Sequence, residues 1–337
     1  MIYQLAVLAS VAASASASNL FNRDVYLARF VEWMKDHKME ANDGHHFVDM
    51  LQKFSDNVDF IDRHNASPEG KHYKLALNKF AHLTFDEWKA HVRLGLGFRQ
   101  QEPSEFTHVA SGARTADSID WVSKGAVTGV KDQGQCGSCW SFSTTGALEG
   151  AYQLKYGNLE SFSEQNLVSC DNVDAGCNGG LMDNAFKWTK QNGGLCTEKD
   201  YPYTSGTSQQ DGECKQGSCD LNSKVAPKSY TDVKKNSESD LVDALNKQPV
   251  SVAIQANQPA FQFYSSGVMT GTCGTRLDHG VLAVGYGTYE DGTDYYKVKN
   301  SWGPTWGMDG YILLERNKDQ RGGQCGILMG PPSYPNL

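Results

Sequence analysis

Gln133-Gly134-Gln135-Cys136-Gly137-Ser138-Cys139-Trp140 is the stretch on which the rest of the chain is organised. It reads as a turn running into a helix. Beyond Cys139, the residues Leu148, Ala151, Tyr152 and Lys155 recur at i, i+3, i+4 and i+7, one face of a helix, and Gly157 supplies its stop. Cys139 therefore stands at a helix N-terminus. Unpaired amides and aligned peptide dipoles favour negative charge there, which predicts a thiol that ionises more readily than a free cysteine. The thiolate is the reactive species.

A thiolate nucleophile needs a base. Eight of the nine histidines (His37, His45, His46, His64, His72, His82, His91 and His108) lie upstream of residue 115, and beyond it the single histidine is His279. If the upstream part is removed, His279 is the general base by elimination. It opens an apolar run, Gly280 to Tyr286, that reads as a strand ending in Gly287. Further on, Lys299-Asn300-Ser301-Trp302-Gly303 follows another strand, Tyr295 to Val298. An amide oxygen can hold an imidazole in one tautomer, as the third member of a triad does.

The motif Cys136-Gly137-Ser138-Cys139-Trp140, with His279 and Asn300 lying 140 and 161 residues beyond Cys139, resembles the papain-like cysteine proteases of the cathepsin L type over nearly the whole chain. The resemblance implies an α+β, papain-like two-domain fold: a helical left domain, an antiparallel β-barrel-like right domain and a cleft between them, preceded by a helical prodomain. The first spacing lies within the family's usual range of about 130 to 150 residues and the second a little beyond it, an excess that implies insertions between the halves.

Three regions are expected. Residues 1–17 form a short apolar, small-residue run with Ala15-Ser16-Ala17 as a cleavage site, a secretory signal lacking the usual basic start. No stretch is apolar enough to span a membrane. Residues 18–114 hold no cysteine and two amphipathic patterns, Leu27, Phe30, Val31, Met34 and then Phe47, Leu51, Phe54, Val58, Ile61. The second resembles the propeptide pattern of the family as Phe54-x-x-Asn57-x-x-x-Ile61-x-x-x-Asn65. Ala76-x-Asn78-x-Phe80-x-His82 follows, with Ala and His in place of Gly and Asp, and His46 and Met50 stand where relatives carry Glu and Arg. The resemblance implies an inhibitory segment lying through the cleft. Because histidine changes charge between about pH 5 and 8, protonation of His46 and His82 first is expected to loosen this segment in an acidic compartment, eight solvated imidazoles being the plainer alternative. Leu94 to Ala116 reads as the processing linker, and residues 115–337 as the peptidase domain.

The peptidase part carries nine cysteines, an odd number that fits four disulfides and one free thiol in an oxidising compartment. Spacing alone cannot choose among the pairings. The resemblance implies Cys136 with Cys177, Cys170 with Cys214 and Cys273 with Cys325; Cys196 and Cys219 remain and are expected to form a further bridge, leaving Cys139 unpaired. Zinc and other metals are not expected, since Cys136-x-x-Cys139 lacks a second close pair, and no cofactor is implied. With 18 Lys plus Arg against 25 Asp plus Glu, the part carries a net −7, which disfavours nucleic acid as a partner. Asn65-Ala66-Ser67 is the one glycan acceptor pattern, with Pro68 directly behind it.

By resemblance, Cys139 attacks a peptide carbonyl, His279 carries the proton, Asn300 orients His279, Trp302 shields that contact, and Gln133 with the Cys139 amide holds the oxyanion. Gly179 and Gly180 would pair with an extended peptide. Leu181, Met182, Ala253, Leu277 and Gly330 match the second subsite, an apolar pocket with an uncharged floor that favours hydrophobic or aromatic P2 residues over Arg. The peptidase part lacks paired loop histidines of a carboxydipeptidase, so cleavage internal to chains is expected. Peptide and protein substrates, the chain's own prodomain and cystatin-like inhibitors are the implied partners of a monomer, in an acidic lysosome-like vacuole or outside the cell. Two other classes remain open on residues alone: a thiol-disulfide oxidoreductase with a Cys136 to Cys139 bond, and a non-catalytic binding protein on the same scaffold.

Overall fold

The computed structural model describes residues 19–94, 104, 106–110, 112, 115–318 and 320–337. The expected signal segment and much of the processing linker lie outside them. In chain order the elements are α1 (Arg23–Asp36), α2 (Gly44–Ala66), β1 (Tyr73–Leu75), α3 (Phe85–Val92), β2 (Ile119–Asp120), α4 (Cys139–Tyr156), α5 (Glu164–Cys170), α6 (Met182–Asn192), α7 (Ser205–Ser208), β3 (Ser229–Asp232), α8 (Glu238–Leu245), β4 (Val250–Ile254), α9 (Pro259–Phe263), β5 (Tyr264–Met269), β6 (His279–Thr288), β7 (Asp294–Lys299), β8 (Tyr311–Glu315) and β9 (Ser333–Asn336). The fold is α+β.

The N-terminal region is a helical unit docked on the sheet. Asn22, Asp43 and Thr84 cap α1, α2 and α3, each accepting a backbone N–H of the first turn, and Glu87 completes a capping box with Thr84. The fully buried side chains of α1 are Tyr26, Phe30 and Trp33; of the expected stripe, Leu27 and Met34 pack at the edge of this core and Val31 alone departs, 53% exposed, because Phe30 and Trp33 both turn onto the Phe54 ring of α2. On α2 the expected stripe is buried from Leu51 to Ile61, with Phe47 packed at its edge. The asparagines of the motif clip this helix to the chain that follows. Asn57 Nδ2 donates to Ala81 O and Leu83 O, and Asn65 bonds both backbone groups of Leu75. The Asn65 amide is thus turned onto β1, which accounts for this asparagine without a glycan.

In the sheet the strands run in the order β1-β5-β8-β7-β6-β4-β9-β3, with β2 on β6; β5 and β8 are parallel and the other pairs antiparallel. The N-terminal unit thus contributes β1 to one end of this sheet. Opposite the sheet stand α4, α5 and α6. The sequence implies one buried face for α4, but every residue from Cys139 to Tyr152 is buried. Helix α6 covers one side and strands β4 and β6 another, and the small residues Ser143, Gly146 and Gly150 let them approach. A Cβ on Gly146 would meet Leu282 Cδ2 at 2.8 Å, and one on Gly150 would meet Pro249 Cγ at 2.7 Å.

Candidate active site

Disulfides join Cys136 to Cys177, Cys170 to Cys214, Cys196 to Cys219 and Cys273 to Cys325, and Cys139 is free. An oxidoreductase-type Cys136 to Cys139 bond is therefore absent. Cys139 is the first residue of α4, and the Gly280 N–H of β6 donates to its Sγ at 3.3 Å. The start of the helix and the start of the strand that carries His279 are thus in contact.

His279 Nε2 lies 2.7 Å from Asn300 Oδ1. The Ser301 N–H donates to the same oxygen at 2.8 Å, which fixes the orientation of the amide. An amide oxygen only accepts, so Nε2 carries the proton and Nδ1 is left as the basic nitrogen; Nδ1 is buried and has no partner. The Trp302 ring stacks on the imidazole at 4.9 Å and 22°.

Gln133 is held from both ends. Its Oε1 accepts from Ser301 Oγ at 2.7 Å, and its Nε2 donates to Cys136 O at 3.0 Å and to Val92 O at 3.2 Å. The last of these is a carbonyl of the N-terminal unit, so a peptide group of that unit takes up one of the Gln133 amide N–H groups. Just beyond, the Arg93 O lies 3.5 Å from where a Gly137 Cβ would stand, and Trp88 sits edge-on to Trp302 at 5.4 Å. The end of α3 therefore covers the site.

On the helical wall, Gly179 O accepts from Ala175 N, and Leu181 N donates to Asp174 Oδ1 at 3.0 Å. Position 180 has no room for a side chain: a Cβ would come 2.6 Å from Trp140 Cδ2 and 2.7 Å from Asp174 Cγ. Met182 Sδ lies 3.1 Å from the Cβ position of Gly280. A Cβ on Gly330 would meet Leu277 Cδ1 at 3.1 Å and Ala253 Cβ at 3.2 Å, so these three line one spot, its floor left open by the glycine. Sequence reasoning missed Ser301, Asp174 and Tyr203, whose hydroxyl donates to Gln133 O at 2.9 Å and contacts Ser138 Oγ at 2.7 Å. Ser301 adjoins Asn300, which is a clue; nothing in the sequence marks Asp174 or Tyr203.

The expected readily ionised thiol requires correction for this covered state. Burial pushes the Cys139 thiol up to about 12, outweighing the Gly280 and helix-start amides that pull it down. Burial likewise lowers His279 to about 4, against the upward pull of Asn300. Helix-end amides are a local, modest influence; removal from water is the larger one. In this covered state burial favours the neutral form of both the Cys139 thiol and the His279 imidazole.

The chain belongs to the papain family: the papain family cysteine protease model matches residues 115–334, and the cathepsin propeptide inhibitor domain matches residues 30–88. It is similar to the probable cysteine protease RD21B of Arabidopsis thaliana, 49% identical over 311 residues covering 90% of this chain, and it spans 65% of that relative's length. Among solved structures it is similar to the proform of the Amb a 11 cysteine protease, a ragweed pollen allergen, at TM-score 0.85 and 36% identity, covering 94% of this chain and 96% of that one. Bromelain protease from Ananas comosus, solved in complex with the E64 inhibitor, matches at TM-score 0.62 and 40% identity, covering 66% of this chain and 99% of that one.

A neutral, covered thiol should react slowly. Iodoacetamide at neutral pH, without reductant, is expected to leave Cys139 of the full-length chain unmodified over a time that alkylates it completely after acid processing, as read by peptide mass. Equal rates in the two forms would show that the prodomain does not suppress the thiol.

Proposed function

We propose that the chain is the precursor of a cysteine endopeptidase in which Cys139 is the nucleophile and His279 the proton carrier. The observation that carries this reading is the free Nδ1 of a His279 whose Nε2 is committed to Asn300, on a strand that abuts the Cys139 sulfur. In the opened cleft the Cys139 proton passes to His279 Nδ1, sulfur attacks the peptide carbonyl carbon, and the proton goes on to the leaving amine. Water then attacks the acyl-enzyme with His279 as base and releases the acid. The Gln133 Nε2–H, freed from Val92 O, and the Cys139 N–H stabilise the tetrahedral oxygen, a contribution of roughly 100-fold or more per donor. An E64-type epoxide added after acid activation is expected to form one adduct, on Cys139. An adduct elsewhere, or hydrolysis that persists after Cys139→Ala, overturns the assignment.

The second subsite follows from Leu181, Met182, Ala253, Leu277 and Gly330, apolar residues around an uncharged floor. In a peptide library varied at P2, hydrophobic and aromatic residues are expected to exceed Arg by at least tenfold in kcat/KM. A preference for Arg refutes this pocket. Internal cleavage, a start of the mature enzyme near Thr115, passage through the secretory pathway to an acidic vacuole or the exterior, and inhibition by cystatin-like proteins complete the reading, supported by the four disulfides and the propeptide.

Acid activation has support in His82. Its ring packs on Trp33 at 5.4 Å, its Nδ1 is buried without a partner, and burial lowers it from 6.5 to about 4. A loosened prodomain binds this proton more tightly than the packed one. The packed state is thus at full strength above about pH 6.5 and loses this contribution as the pH falls toward 4. His46 differs: it is half-buried, and its Nδ1 accepts from Asn42 N at 3.0 Å. Replacing both by Gln is expected to lower the pH at which the full chain processes itself, with His82→Gln giving most of the effect. An unchanged pH removes these histidines from the trigger.

A further inference from the structure

Among the described residues, the upstream histidine most enclosed by the catalytic half is His108, 4% exposed. Its Nε2 lies 2.9 Å from Asp243 Oδ2 of α8 and its Nδ1 2.9 Å from Tyr334 Oη of β9. The carboxylate accepts from Nε2–H. Because a phenol can donate or accept, Tyr334 satisfies Nδ1 whether the ring is neutral or charged.

The backbone on either side of His108 runs as an added strand. Asp232 N donates to Phe106 O at 2.9 Å, His108 N donates to Asp232 O at 2.6 Å, and Thr107 bridges Asp232 in parallel. Ser104 N donates to Asp232 Oδ2 at 2.9 Å, Ser104 Oγ to Tyr230 O at 2.9 Å, and Ala110 N to Asp240 Oδ1 at 3.2 Å. Strand β3 is the end of the sheet, so this segment covers an edge that otherwise presents unpaired backbone groups. Apolar burial is not what holds it: Phe106 and Val109 are 51% and 80% exposed. Backbone pairing and one imidazole are.

The segment lies ahead of the expected mature start near Thr115, so processing removes it while its cradle stays on the enzyme. We propose that this cradle, the outer edge of β3 with the Asp243–Tyr334 pocket, is a peptide-binding site of the mature enzyme separate from the catalytic cleft. It takes an extended segment with histidine in the pocket, and its occupant is the chain's own residues 104–110 after they are cut free. Recognition is strand addition with one side-chain pocket. The proposal rests on the protease reading only for the removal of the segment.

The full chain is processed in acid, alkylated at Cys139 so that the probe survives, freed of fragments, and titrated with a labelled peptide of residues 104–110 by fluorescence anisotropy. Saturable one-to-one binding is expected, weakened roughly tenfold or more by His108→Ala in the peptide or by Asp243→Asn in the enzyme, as loss of a hydrogen bond to a charged group implies. With unalkylated enzyme, the peptide should leave hydrolysis of a small substrate unchanged. No saturable binding up to millimolar peptide, equal binding of the alanine peptide, or competition with substrate overturns the site. Hydrogen exchange on the unprocessed chain needs no protease activity: the His108 amide should exchange at least tenfold faster in Asp243→Asn, and unchanged protection of a folded variant overturns the contact.

Discussion

The structure depends on how closely α4 lies against β6 and β4. Cys139 Sγ accepts from Gly280 N, Ser143 Oγ donates to Val281 O at 2.7 Å, and Ser251 Oγ donates to Ser143 O at 3.0 Å. These are short side chains reaching from helix to strand backbone, possible because positions 146 and 150 carry no side chain. A larger residue at either glycine would force the helix outward by the length of a methyl group, and the thiol would part from the strand that begins with His279. Beneath this seam the halves are tied by charge. Lys299 of β7 donates to Thr128 Oγ1 at 3.0 Å, Thr128 donates to Glu149 Oε2 at 2.5 Å, and Glu149 and Glu164 share Lys131 at 3.0 and 2.6 Å. Lys131 neutralises Glu149 and Glu164 directly, whereas Lys299 reaches Glu149 only through the Thr128 hydroxyl, so removing Lys131 would leave two buried carboxylates uncompensated, which is more damaging than the pair is stabilising. Lys299 adjoins Asn300, and the tie therefore also sets where the amide meets the imidazole.

The prodomain acts on this site by occupying hydrogen bonds and excluding water. Val92 O takes one N–H of Gln133, and the Trp88 ring meets Trp302. The unit is anchored both away from the site, where β1 pairs with β5 and Asn78 Nδ2 donates to Gln262 O at 2.7 Å, and beside it, where Lys79 pairs with Asp132, the neighbour of Gln133, at 2.5 Å. Under this cover Cys139 Sγ keeps its bond from Gly280 N–H and His279 Nε2 its bond to Asn300 Oδ1.

Much of this was legible in the sequence because it rests on local rules. The helix starting at Cys139, its stop at Gly157 and the strands from Gly280 to Tyr286 and from Tyr295 to Val298 follow from periodicity and from glycine at a left-handed position, φ +79° at Gly157. Strands β1, β5 and β9 were not read. They are short or interrupted by polar residues, and the partners that hold them, such as Tyr73 with Gly267, are far apart in sequence. The same reason hid Asp174 and Tyr203, which act by bonding backbone that other elements bring near. On α1 the expected face holds except at Val31, which fits an apolar count but is turned outward by the packing of Phe30 and Trp33 on Phe54.

The error about the thiol is the most instructive. A helix start does favour the thiolate, and the amides of Gly280 and Trp140 do pull Cys139 downward. Sequence shows that influence because it is local. It cannot show desolvation, which depends on what a separate unit more than forty residues upstream lays across the cleft. Burial raises the thiol and lowers the imidazole together, and each shift opposes moving the proton from sulfur to nitrogen. Two charges side by side would stabilise one another, yet at a dry site their loss of hydration is the larger cost. Covering the cleft and holding the Cys139 thiol in its protonated form are therefore features of one packed state.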